Sequence, residues 1–257
     1  MSADPLPDGY ERRAVRGVEV VALHWAIDAL AGAVEKHGSL YRWAQAQPVL
    51  AAFRGRGVAW ATELRAGVGA AAVTPVVVRH SRHGGALQRL TGDLFLLPTR
   101  APRELAMSVT LAERGVMTPE LVGYAVSPAF GLFARADVMT RRLPEGRDFP
   151  DAWTAGQSPK TRTAIIDAVA ALMRALAKAN AHHPDFNVKN VYIAGQGTAC
   201  LAYVLDVDVM RLDAPGDVAA LNFARFARSV RKWNDLHSLG VDDDALVRLA
   251  SQAWVHQ

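Results

Sequence analysis

His182-His183-Pro184-Asp185-Phe186-Asn187-Val188-Lys189-Asn190, with Asp206-Val207-Asp208 sixteen residues beyond it, is the part of this chain on which its fold turns. The first stretch orders a histidine, a carboxylate and a carboxamide as His-x-Asp-x-x-x-x-Asn. The apolar run Ala199–Leu205 then delivers two more carboxylates. Phosphoryl transfer from a nucleotide uses such a set: one Asp orients and deprotonates a hydroxyl, while an Asn and a second Asp hold Mg²⁺ on the phosphates.

Each residue has an ordinary explanation beside the chemical one, because Asp, Asn, His and Pro are common in turns. His-x-Asp alone carries little; the whole pattern followed by Asp-x-Asp after a strand carries much more. Pro184 disfavours helix at His183, so Asp185 is expected in a loop where its carboxylate can reach a hydroxyl. Asn190 is expected to place its amide oxygen on Mg²⁺ or to brace the loop. Asp206 follows an apolar strand and suits a hard cation, and Asp208 adds a second carboxylate if the strand continues. His183 is expected to brace the loop and His182 to close the preceding helix. Adjacent histidines point in different directions and no His-Glu-x-x-His accompanies them, which argues against zinc.

With 257 residues the chain can bury a proper core as one large domain or two lobes. Hydrophobic residues make up 51% and charged residues 21%, which excludes a disordered chain. The net charge of +4 and a pI near 9.5 suit phosphates, anionic lipid or nucleic acid without choosing among them. Cys200 is the single cysteine, so no internal disulfide forms, and its apolar surroundings suggest a small buried filler. Met1–Pro5 has no basic segment leading into an apolar core, and Glu19, His24, Asp28 and Glu35 interrupt the best apolar window. A soluble, cytoplasmic chain is expected.

Residues 1–20 read as irregular. Helix is predicted from Leu23 to Gln47 with a break near Gly38, then a hairpin of Val49–Phe53 and Val58–Ala61 joined through Gly55-Arg56-Gly57. Thr74–His80 is a β-branched strand starting at Pro75, and Pro102–Arg114 a helix with Leu105, Val109 and Leu111 on its apolar face. Leu121–Val126 and Gly131–Thr140 are expected to pair across Ser127-Pro128. Past Arg141–Asp148 the texture turns helical, at Thr161–Ala181, Asp217–Leu239 and Asp242–Trp254, around short strands at Val191–Ala194 and Cys200–Leu205. The order predicts an α+β, bilobal fold: residues 1–145 form a small antiparallel-sheet lobe with one helix and an irregular or helical extension at 1–48. Residues 146–257 form a mainly helical lobe carrying the loop and the metal-binding strand.

In the first half, Gly55 and Gly57 would let backbone amides approach phosphates, although a plain hairpin turn explains them equally well. Val76-Val77-Val78-Arg79 has the shape of the kinase strand Val-Ala-Ile-Lys with arginine at the cation position. Arg79 can contact nucleotide phosphates and pair with a carboxylate, for which Glu104 is the candidate.

From Phe53 to Lys232 the chain resembles the lipopolysaccharide kinase family, which includes Kdo kinases and core heptose kinases of protein-kinase-like fold. The residues that carry the resemblance are Gly55-Arg56-Gly57, Val78-Arg79-His80-Ser81-Arg82-His83-Gly84-Gly85, Arg100-Ala101-Pro102-Arg103-Glu104 and Gly115–Pro119. Ala136–Thr140, the His183/Asp185/Asn187/Asn190 loop, Asp206-Val207-Asp208 and Asn222-Phe223-Ala224-Arg225-Phe226-Ala227-Arg228-Ser229 extend it. The resemblance implies ATP, Mg²⁺ and a sugar hydroxyl of the lipopolysaccharide inner core or lipid A region as acceptor. It also implies peripheral work at the cytoplasmic face of the inner membrane, and no nucleic-acid partner. Phe186 stands where the family has leucine, and Val207 replaces an aromatic, which is expected to loosen the metal segment. Arg225, Arg228, Arg231 and Lys232 are expected along one helix face, either solvated or against anionic headgroups. An aminoglycoside-type kinase and a pseudokinase binding module are the alternatives.

Overall fold

The structure is a computed structural model and describes residues 5–54, 57–66, 72–81 and 93–254. The chain divides into two units, Met1–Val109 with Glu120–Arg142, and Thr110–Pro119 with Leu143–Gln257. This differs from a single cut after residue 145. Residues 110–119 group with the second unit, where the Val204 N–H donates to Met117 O (2.9 Å) and Arg114 Nη1 donates to Ala179 O (2.8 Å).

In the first unit β1 (Tyr10–Val15) and β2 (Val18–Leu23) precede α1 (Ile27–His37) and α2 (Leu40–Gln45). Then come β3 (Ala51–Arg54), β4 (Val58–Arg65), β5 (Val73–His80), β6 (Phe95–Leu96), α3 (Ala101–Glu113, its last four residues grouping with the second unit), β7 (Leu121–Pro128) and β8 (Phe133–Arg141). The strands form one antiparallel sheet in the order β1-β2-β7-β8-β5-β4-β3, with β6 extending β5's edge of β8. Both sheet faces are covered. Val20, Ala22, Val76, Val78 and Met139 pack with Ile27, Leu30 and Val34 of α1. On the other face, Val21, Tyr124 and Val138 pack with Ala101 and Leu105 of α3. Double-sided burial explains why β2 reads as a nearly unbroken apolar run rather than an alternation.

Three expectations change here. Residues 10–23 are strands rather than irregular chain, so the sheet carries α1 and α2 as well as α3. The β7–β8 turn lies at 129–132, and Ser127 and Pro128 remain in β7 opposite Arg135 and Ala134. Pro75 is the third residue of β5, just outside the pairing with β8 that begins at Val76, where its missing N–H leaves no gap in that ladder. The break at Gly38 is a left-handed C-cap (φ +78°) whose N–H donates to Val34 O.

The second unit contains β9 (Gly146–Asp148), α4 (Phe149–Ala155), α5 (Pro159–Lys178), β10 (Ala181–His182), β11 (Val191–Ala194), β12 (Leu201–Val204) and β13 (Arg211–Leu212). It closes with α6 (Val218–His237) and α7 (Asp243–Ala253). Ser158, Asp217 and Asp242 cap α5, α6 and α7, each accepting from the N–H three residues on. The apolar stripe of α5, from Ile165 through Val169 and Leu172 to Leu176, is buried. Phe149, Phe186 and Phe226 are fully buried, and Phe226 lies 5.2 and 5.7 Å from the other two rings. The aromatic at 186 therefore fills a core position beneath the loop. Cys200 sits in the turn before β12, half-buried with Sγ toward Gly197 O (3.4 Å), rather than in the core. Among the described residues no helix is long and apolar enough to cross a membrane.

Candidate active site

The loop after α5 is held by its own polar groups. Residues 181–182 pair with β13, so His182 belongs to a strand instead of closing the helix. His183 is fully buried: its N–H donates to Asn222 Oδ1 (3.0 Å), its Nδ1 accepts the Asp185 N–H (3.2 Å) and its Nε2 faces Leu205 O (3.0 Å). A carbonyl only accepts, so the proton is on Nε2 and the ring is neutral. Burial pushes the His183 pKa below the ordinary value. The Leu205 bond and the carboxylates of Asp206, Asp185 and Asp208 oppose this without overcoming it.

Asn187 caps the 3₁₀ turn Val188–Asn190, its Oδ1 accepting the N–H groups of Lys189 (2.9 Å) and Asn190 (3.2 Å). Asn190 Nδ2 donates to Asp185 O (2.9 Å), so its amide orientation is set and no described residue bonds Oδ1. Leu205 is clamped at both backbone groups, its N–H donating to Asn190 O (2.9 Å) and its carbonyl accepting from His183. Asp206 follows immediately, exposed and in the left-handed region (φ +55°), a conformation Asp tolerates better than most residues.

The chain does not continue as a strand past Asp206. Val207–Val209 form a 3₁₀ turn, so Asp208 is not placed on the strand face beside Asp206 as the sequence suggested. Val207, expected to loosen this segment, is buried in it. Among the described residues no three His, Cys, Asp or Glu side chains form a metal cluster. The donors present still fit Mg²⁺, which binds through one or two carboxylates and completes its shell with water and substrate phosphates. Asp206 offers exposed carboxylate oxygens and Asn190 an open amide oxygen, each on backbone tied to the same loop.

Asp185 itself is about two-fifths exposed and ion-paired: Arg225 Nη2 lies 2.5 Å from Oδ1. Arg225 is thus turned toward the loop, while Arg228, Arg231 and Lys232 are exposed on α6. Asn222 and Ser229 of the same helix also bond this loop. The sequence marked this helix as a basic face; the spacing 222, 225, 229, one turn apart each time, is the signal that could have shown it as a clamp.

In the first unit Arg79 Nη2 pairs with Glu104 Oε1 in the first turn of α3, so these two expected partners meet. The Glu104 side chain is about nine-tenths buried and that of Arg79 one-third exposed. Gly57 leads into β4, and Gly55 lies outside the described residues, as do His83, Gly84 and Gly85. Sequence reasoning missed the function of His80 as a bridge: its Nδ1 and Nε2 lie 2.5 Å from Asp137 Oδ1 and 3.0 Å from Asp93 Oδ2. Asp137 Oδ2 in turn accepts the Tyr41 N–H (2.9 Å). Burial opposes protonation of His80, but the bonds and charges of Asp137 and Asp93 outweigh it and raise the pKa.

The sequence profile of the lipopolysaccharide kinase (Kdo/WaaP) family matches residues 41–244. The chain belongs to that family. Both units described above lie largely within the matched range. A solved structure, WaaP in complex with acyl carrier protein, is similar at a TM-score of 0.52 and 16% identity, over 83% of this chain and 81% of that one. At that identity the likeness establishes the protein-kinase-like fold alone. No curated protein matches the chain. Membership in the Kdo/WaaP family makes the chain a kinase by descent, a transferase tied to lipopolysaccharide, and implies ATP use with a divalent metal.

Proposed function

We propose that the protein is an ATP- and Mg²⁺-dependent kinase that phosphorylates a Kdo or heptose hydroxyl of the lipopolysaccharide inner core. The observation that carries this is the locked cassette in the second unit. The loop backbone that carries Asp185, Asn190 and Asp206 is set by the bonds of His183 and Leu205 and by Asn190 Nδ2 on Asp185 O.

In this mechanism Asp185 accepts a hydrogen bond from the acceptor hydroxyl and aims its oxygen at the γ-phosphorus of ATP. As the new O–P bond forms, the bond to the ADP oxygen breaks and the hydroxyl proton passes to Asp185. Asn190 and Asp206 would hold the metal, with Asp208 close by in sequence, and Mg²⁺ when bound would offset the charge on the phosphates. His183 keeps the loop in shape as a neutral brace. Arg79, fixed by Glu104, would meet nucleotide phosphate, with Gly55 and Gly57 allowing close backbone approach. The exposed Arg228, Arg231 and Lys232 suit peripheral contact with anionic lipid at the cytoplasmic face of the inner membrane.

Radiolabelled ATP is to be offered with Kdo-lipid A, heptosylated core, free sugars and a generic protein. Label in Kdo-lipid A or heptosylated core, lost by several orders of magnitude in Asp185→Ala with ATP binding retained, is the expected result. Label only in the protein, or an Asp185→Ala variant as active as the wild type, would overturn the proposal. ATP should raise the melting temperature more with Mg²⁺ than without, and Asp206→Asn should erase that difference.

A further inference from the structure

Four side chains of α6 reach the catalytic loop, and they do different things. Asn222 is buried, accepts the His183 N–H (3.0 Å) and donates to Ala181 O (3.0 Å). Ser229 is buried and accepts the Val188 N–H (3.2 Å). Phe226, between them, packs on Phe186. These contacts hold backbone and core on both sides of Asp185. Arg225 alone reaches a functional side chain: Nε donates to Pro184 O (3.3 Å) and Nη2 to Asp185 Oδ1 (2.5 Å).

The loop backbone therefore has anchors that do not involve Arg225. Neither Asn222 nor Ser229 bonds the Asp185 carboxylate, so they leave its direction unset. Rotation about the last bond of an aspartate is broad and roughly two-fold, so an untethered carboxylate samples many directions. The guanidinium is planar, and two bonds from one edge, to Pro184 O and Asp185 Oδ1, fix its plane. With Oδ1 bonded to Arg225, Oδ2 is the carboxylate oxygen that no described residue bonds. The pair is too exposed, at 30% and 41%, for its attraction to add much to folding stability.

We propose that Arg225 is a positioning residue for phosphoryl transfer: it occupies Asp185 Oδ1 and so aims Oδ2 at the acceptor hydroxyl. The proposal rests on Asp185 having the role assigned above.

The test uses the full chain with ATP, Mg²⁺ and Kdo-lipid A or heptosylated core, whichever the wild type phosphorylates. Arg225→Ala should lower kcat about 100-fold, the loss typical of a catalytic group misplaced by an ångström, with KM for ATP within about twofold. Arg225→Lys should recover part of the loss, since an ammonium keeps the charge but does not span both acceptors. Combined with Asp185→Ala, Arg225→Ala should cost nothing further, because it acts through that carboxylate. If Arg225→Ala folds poorly, Arg225→Gln, which keeps the stem, takes its place in the cycle. Wild-type activity in the Arg225 variants, or losses that multiply in the double variant, would overturn the proposal and leave the kinase assignment standing. A wild type that phosphorylates neither acceptor would remove the assignment and this proposal together.

Discussion

Replacing Asn222 with alanine should damage the second unit well beyond the loss of one side chain. The carboxamide is 1% exposed and bonds two backbone groups at 3.0 Å, the His183 N–H and the Ala181 carbonyl, both in fully buried residues. Alanine leaves the N–H without its acceptor, at about 1–3 kcal/mol for a buried orphan donor. The carbonyl retains a second lone pair, so its lost bond costs about 1 kcal/mol. The sum, about 2–4 kcal/mol, is a large part of the roughly 5–15 kcal/mol that holds a domain folded. Asn222→Asp should do no better: it keeps the acceptor for His183 but turns a buried carboxylate oxygen toward the Ala181 carbonyl. Urea denaturation of both variants would give the stability loss. Hydrogen exchange would place it, since at about 1.4 kcal/mol per decade the His183 amide should exchange roughly 30- to 700-fold faster. A loss under about 0.5 kcal/mol with unchanged protection at His183 would refute the idea that Asn222 carries the loop.

Three more outcomes follow from the geometry. The two hydrogen-bonded histidines, His183 and His80, should have opposite pH signatures. The lowered pKa of His183 means the unfolded chain binds more protons, so its share of stability is complete above the unfolded value of about 6.5 and falls away as pH drops below it toward the folded value. The raised pKa of His80 makes its share complete below about 6.5 and lost as pH rises through the folded value. NMR titration of the two imidazoles checks both, and a His80 that titrates below an ordinary histidine would contradict the Asp137–His80–Asp93 bridge. Gly146→Ala should cost about 1–3 kcal/mol or part β9 from β11, because the new Cβ would stand 2.1 Å from Ile193 O and 2.7 Å from Ala194 Cα. Wild-type stability in that variant would mean the strands are not so closely paired. Arg79→Ala should destabilise the first unit by about 1–3 kcal/mol, below the range for a fully buried pair because Arg79 is one-third exposed, with Glu104→Gln milder. Denaturation of both variants checks the order, and an unaffected Arg79→Ala would show that Glu104 does not depend on this cation.

Much of the second unit was legible in the sequence because its signals are local. The α5 stripe, Asp217 and Asp242 at the starts of α6 and α7, and the turn residues between Asp185 and Asn190 all act within a few positions of themselves. Such short-range bonds require no knowledge of distant chain. The first unit was harder. β1 is a half-exposed edge strand whose Glu11, Arg12 and Arg13 hide its alternation, and β2 is buried on both faces and shows none. Gly131, with φ +55°, sets the β7–β8 turn, and the Ser127-Pro128 signal misled because a proline at the end of a strand needs no ladder partner there.

By itself, the sequence pointed to the kind of chemistry proposed, because the spacing of His183, Asp185 and Asn190 lies within one loop and Asp206 follows closely on the strand that pairs with its neighbour. It also determined where most helices begin and stop. Tertiary structure alone decided which polar groups meet. Arg225 meets Asp185 across 40 residues, Asn222 meets His183 across 39, and His80 meets Asp137 across 57. Hydrophobic periodicity states which face of an element is buried, but a polar side chain finds its partner only when two such faces have packed, and that distance is absent from the order of residues.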